Sequence, residues 1–154
     1  MNSGLVMYEE EFRLIAGICD RLTRDANAKV VFLVDKNGQQ IDAQGEIENL
    51  DTTSLASLTA GNVAATDGLA RLIGEKEFSI LFHEGERDNM HLSVVAERLI
   101  LVVVFDRRSS VGLVRLRVRQ ASVRFNDVMA TALAASDAED GGIEELTEAD
   151  IESL

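Results

Sequence analysis

The chain has 154 residues, 15 Lys+Arg against 27 Asp+Glu for a formal charge of −12, 46 % hydrophobic residues, and neither Pro nor Trp. That is the length of one domain, enough to bury about 70 % of its unfolded surface, and the composition excludes collagenous, mucin-like and Pro-rich linker classes. A single cysteine, Cys19, excludes an internal disulfide and a multi-thiolate metal site.

From Tyr8 to about Asp25, the apolar positions Phe12, Ile15, Ala16, Cys19 and Leu22 recur at helical spacing. Glu9, Glu10 and Glu11 fall in the first turn, where negative charge suits the helix dipole. They are the opposite of the basic region of a signal peptide, so a cytoplasmic protein is expected. Cys19 lies within the apolar stripe and reads as a core thiol.

A Val-rich run from Lys29 to Asp35, the turn Lys36-Asn37-Gly38 and a second run from Gln40 to Glu46 predict a β-hairpin, since Asn and Gly both tolerate positive φ. Asp51 caps a helix to about Ile73, with Gly74 as its stop. Phe78 to His83, Met90 to Ala96 and Leu99 to Phe105 read as three strands joined at Gly85 to Asn89 and Glu97-Arg98. The last has no alternation, which predicts a central strand buried on both faces. It is also the longest apolar run, far short of the ~20 residues of a membrane helix.

After Asp106, Val114 to Gln120 alternates like a strand. Val111, Val114, Val118, Ala121, Phe125, Val128 and Ala132 follow helical spacing over a longer window, with Ser109 or Ser110 as a cap, and length decides for helix. The order αββαβββα predicts an α+β fold with a mainly antiparallel five-stranded sheet.

Residues 136–154 hold eight acids and no base, which leaves 19 acids against 15 bases, or −4, for residues 1–135. The sequence therefore divides into a domain, 1–135, and an acidic tail, 136–154. The tail opens with Ser136 to Asp140 and Gly141-Gly142, which predict a flexible link. Thr147 and Asp150 match a capping box with Asp in the usual Glu place, Leu146 and Ile151 a hydrophobic staple, and Ile143, Leu146, Ile151 and Leu154 share one helical face. A short segment of this kind either orders on a partner's groove or serves as a disordered solubilising tail.

Nucleotide-binding, zinc-protease and serine-hydrolase motifs are absent from the sequence. His83 and His91, with Glu84 nearby, make a weak metal signal, and structural or surface roles are expected for both. The second helix carries two stripes. Leu55, Leu58, Asn62, Leu69, Leu72 and Ile73 read as its core face, and Ser57, Gly61, Ala64 and Gly68 lie roughly 110° away. Two interior glycines each cost about 1 kcal/mol against alanine, which implies that something comes close. That is tight packing within the subunit, or a helix contact with a second copy or a partner. Arg107, Arg108, Arg115, Arg117, Arg119 and Arg124 crowd into one acid-free segment. An acidic chain with few aromatics lacks a nucleic-acid footprint, leaving a solvated basic face or a dock for acidic protein surface.

Several stretches closely resemble one family: Leu5-Val-Met-Tyr-Glu-Glu-Glu-Phe12, Cys19-Asp-Arg-Leu22, Asp25 to Gly38, Asp51 to Ala65, and Phe82-His-Glu-Gly85 with Gly112 to Val118. It is the bacterial MglB family of Roadblock/dynein-light-chain-type proteins, and the resemblance covers about residues 5 to 125. It implies a homodimer with paired sheets and paired second helices, stimulating GTP hydrolysis by an MglA-like, Ras-like GTPase in cell polarity and gliding motility. On the same resemblance the regulator remodels the GTPase switch region without an arginine finger, and Ala64 and Gly68 coincide with GTPase-facing positions. Arg115, Arg117 and Arg124 are then expected to hold acidic surface, and Ile143, Leu146, Ile151 and Leu154 to form a second GTPase contact. No cofactor, metal, nucleic acid or membrane insertion is implied, and a position at a cell pole fits the family. A Roadblock scaffold that binds a GTPase or motor component without stimulating hydrolysis is the alternative.

Overall fold

The structure is a computed structural model that describes residues 9–152. Its elements are α1 (Glu9–Asp25), β1 (Val30–Asp35), β2 (Gln40–Gly45), α2 (Thr52–Leu72), β3 (Ile80–Glu84), β4 (Asn89–Val95), β5 (Leu99–Phe105) and α3 (Val111–Glu152). The strands form one antiparallel sheet in the order β2-β1-β5-β4-β3, with α1 and α3 on one face and α2 on the other. The α+β fold and its element order are those expected.

β5 is the middle strand, and the lack of alternation in β1 and β5 follows from cover on both faces. Val31, Leu33, Leu101 and Val103 meet Ile15, Cys19, Leu22, Val114, Val118 and Phe125 of α1 and α3. Val30, Phe32, Val34, Ile100 and Val102 meet Ala56 and Val63 of α2. Phe12 is 43 % exposed and Ile18 takes a place in the core, so the buried stripe of α1 sits slightly round from the expected one. Tyr8, expected to open α1, lies outside the described residues.

The turns are set by local chemistry. Asp35 Oδ1 accepts the N–H groups of Asn37 and Gln39, both at 2.9 Å, and Gly38 sits at φ +91° in the hairpin turn. Asp51 caps α2, and Gly74 at φ +85° closes it with its N–H donating to Arg71 O. Ser110 Oγ caps α3 by accepting the Leu113 N–H at 3.1 Å, whereas Ser109 Oγ donates to Ala26 O and ties the end of α1 to the start of α3. β3 begins at Ile80, two residues later than expected.

α3 runs on without a break through residues 136–142, where the sequence suggests a link. Glycine in a helix costs about 1 kcal/mol without forbidding it, and the Ala-, Glu- and Leu-rich flanks favour helix. Ile143, Leu146 and Ile151 stand on this helix but their side chains, like Leu154, lie outside the described residues.

The inward face of α2 differs from the expected one. Ala56, Thr59, Val63 and Ala70 are buried, about 100° round the helix from the leucine face. The facing sheet already presents Phe32, Val34, Ile100 and Val102, so only small side chains let the helix come down to packing distance. Leu58, Leu69, Leu72 and Ile73 consequently point outward, 72 %, 61 %, 83 % and 69 % exposed.

Candidate functional site

α2 is positioned firmly at its N-terminus. The Asp51 carboxylate accepts the Ser54 N–H at 3.1 Å and its hydroxyl at 2.7 Å, bonds that hold the Asp51 pKa below its ordinary value. Midway, the Asn62 amide donates to His83 Nε2 at 3.1 Å, linking α2 to β3.

With the buried face fixed, the small-residue stripe points nearly opposite to it. Ser57, Gly61 and Ala64 are exposed and Gly68 is half-buried. A Cβ built on Gly61 or Gly68 meets nothing within 4 Å, which removes close packing inside the subunit as the reason for these glycines. The only base on α2 is Arg71, in its last turn.

Asn62, on the same side of α2 as the outward leucines, reaches β3, whose outer edge has no strand partner among the described residues. Ile80 on that strand is 53 % exposed, on the face of the sheet away from the leucines. Bare apolar edge strands are a liability that proteins normally cover, and a contiguous exposed apolar area marks an interaction surface. Sequence reasoning missed this surface because it assigned the leucines to the core. The signal was present in Ala56, Val63 and Ala70, a second apolar row at sevenfold spacing.

The two histidines stand on opposite faces of the sheet. His91 pairs with Phe82 and points to the α3 side, while His83 pairs with Met90 and points to the α2 side, so one metal ion cannot bind both. His91 is 1 % exposed, and neither ring nitrogen has a hydrogen-bond partner among the described residues. Burial, and after it the Arg115 charge, pushes its pKa down. The Cys19 thiol is buried and its pKa is pushed far up by desolvation and by Asp42, so it is an inert core group.

The arginines singled out in α3 do not form one site. Relative to the buried row Val114, Val118, Phe125 and Met129, Arg115 lies on one flank of the helix and Arg117 and Arg124 on the other. Arg117 donates to Gln120 Oε1 at 3.0 Å. All three lie on α3, across the sheet from the α2 stripe.

The Roadblock/LC7 domain matches residues 14–105, and the chain belongs to the Roadblock/LC7 family. Within that family it is similar to MglB of Myxococcus xanthus, with 61 % identity and a TM-score of 0.79 over 83 % of this chain and 96 % of that one. The gliding protein MglB of Thermus thermophilus is 28 % identical, with a TM-score of 0.77 over 85 % of this chain and 99 % of that one. A Roadblock/LC7 domain from Streptomyces avermitilis, 11 % identical with a TM-score of 0.61 over 78 % of this chain and 95 % of that one, shares the fold. No curated protein matches the chain by sequence. Among the described residues, no helix is long and apolar enough to cross a membrane.

Proposed function

We propose that this protein is a homodimeric regulator of an MglA-like, Ras-like GTPase, raising its rate of GTP hydrolysis in the control of polarity and motility, with a place of action at a cell pole. The observation that carries the reading is the outward side of α2, where a row of small residues runs beside a row of unopposed leucines. The leucines and the free edge of β3 pair two protomers, joining their sheets and setting the two α2 helices side by side. The stripe Ser57, Gly61, Ala64 and Gly68 then lets the GTPase backbone approach closely.

Phosphoryl transfer is accelerated by holding a water-orienting Gln and an Arg around the γ-phosphate. The stripe has no side chain able to play either part, which supports a mechanism in which it reshapes the switch region of the GTPase and the GTPase supplies its own Arg and Gln. The regulator itself is not an enzyme. The acidic segment 136–154, which continues α3, makes a second contact with the GTPase through Ile143, Leu146, Ile151 and Leu154.

The test is phosphate release by the cognate GTPase, measured in single turnover with and without this protein. Acceleration supports the reading. Binding without acceleration would leave a Roadblock scaffold instead.

A further inference from the structure

We propose that the sheet face opposite α2 carries a second docking surface, formed by Ile80 and Phe82 of β3 with Arg115 and Arg119 of α3, for an acidic amphipathic segment of a partner protein.

The register fixes the floor. Ile80 pairs with Ser93 and Phe82 with His91, so both point to the α3 side of the sheet. α3 packs over β4 and leaves them uncovered, Ile80 at 53 % and Phe82 at 37 % exposure. The Phe82 ring leans on Phe105 at 6.2 Å between centroids, which keeps it in place as a fixed apolar platform. Beneath it, His91 and Ser93 are buried, with no hydrogen-bond partner among the described residues on either ring nitrogen or on the hydroxyl.

The wall is the flank of α3 that faces β4. Arg115 and Arg119 are one turn apart on it, and both are exposed. Further along, the same flank borders a cleft of about 460 Å³ lined by Val95, Ala96, Ser122, Asn126 and Met129.

Charge selects the occupant. Arg13, Arg21, Arg24 and Arg108 all hold ion pairs, whereas Arg115 and Arg119 have none among the described residues. Residues 107–124 contain no acid at all in a chain with 27 of them. Unpaired guanidinium groups beside an apolar floor suit carboxylates that flank apolar anchors, since an Arg–carboxylate pair is directional and strengthens as partner surface excludes water. The acidic end of this chain has that chemistry, but the continuous α3 carries residue 136 roughly 20 Å beyond Ser122, away from the floor. The occupant is therefore a segment of another protein. It binds on the α3 side of the sheet, opposite the α2 stripe, and the β3 edge that the dimer proposed above would pair borders its floor.

The experiment uses the full chain and two synthetic helical peptides of about 20 residues, with leucines at heptad core positions and either Glu or Lys elsewhere, followed by fluorescence anisotropy. The Glu peptide is expected to bind, more tightly at low salt, and Arg115→Glu with Arg119→Glu is expected to weaken it about tenfold or more. The inference is overturned if that variant binds the Glu peptide as well as the parent does, or if the Lys peptide binds equally. It is also overturned if Arg117→Glu with Arg124→Glu, on the other flank, weakens binding as much. Binding that appears only after residues 137–154 are deleted would make the chain's own acidic end the occupant, and would overturn it too.

Discussion

Replacing Gly61 and Gly68 together by alanine separates what α2 gains as a helix from what its surface does. Each glycine costs about 1 kcal/mol in a helix interior relative to alanine. Neither added Cβ meets an atom within 4 Å, so no clash offsets the gain. The double variant should be more stable by about 2 kcal/mol, and for a chain of this size each kcal/mol raises Tm by roughly 2–4 °C. The expected rise is therefore about 4–8 °C by calorimetry, measured at one fixed protein concentration because association shifts Tm by mass action. The same two methyl groups stand where the proposed partner's backbone would come close, and overpacking of that kind costs about 1–3 kcal/mol. Stimulation of the GTPase should fall about tenfold while the protein becomes more robust. A stabilised variant with undiminished stimulation would refute the close-approach reasoning. Failure to stabilise would refute the claim that both positions are open in the free protein.

Three further outcomes follow from the geometry. Arg71→Ala removes the only base of α2 and should change single-turnover hydrolysis by a few-fold at most, because a loss near 10³-fold would mark an inserted arginine. Ending the chain after Ser136 should weaken affinity for the GTPase in titration, and unchanged affinity would leave the acidic segment without a binding role. His91 is buried in the folded chain, where burial and then the Arg115 charge hold its pKa below the ordinary value, while the unfolded chain protonates near pH 6.5. Above that pH the group contributes nothing to the pH dependence. As pH falls through it, the unfolded state takes up a proton that the folded state refuses, and stability drops. Urea midpoints at pH 7.5 and 5.5 should therefore lie closer together for His91→Leu than for the parent, and equal spacing would contradict the assignment.

The parts of the fold that were legible in the sequence are those where local chemistry and burial agree. Asn37-Gly38 between two apolar runs, the Asp51 cap, the Gly74 stop and the unbroken apolar run of β5 each have one physical reading, and the structure has each of them. α2 is where pattern and burial part. Its leucine row is the more hydrophobic, and hydrophobicity alone assigns it to the core. The sheet it faces is already filled by Phe32 and its neighbours, and that constraint comes from strands far away in sequence. The stripe of Ser57, Gly61, Ala64 and Gly68 was legible because glycine in a helix has a cost that demands a reason. The division of the arginines between two flanks of α3 follows from which row of the helix is buried, so Arg115 separates from Arg117 and Arg124 only once Val114 and Val118 are seen inside.

If two copies pair as proposed, the outward turn of Leu58, Leu69 and Leu72 makes the paired form depend on how much of the protein a cell makes. The core of the protomer forms without them, so in the proposed dimer their transfer out of water would drive association and not folding. Pairing two copies makes the amount of dimer grow with the square of the free protomer concentration. A twofold change in expression, or gathering at one place in the cell, then changes the amount of paired surface about fourfold while the protomers are in excess. In the proposed dimer, the amount of paired surface would thus depend on abundance and on local crowding of copies, through a helix that keeps its small side chains inside and its large ones out.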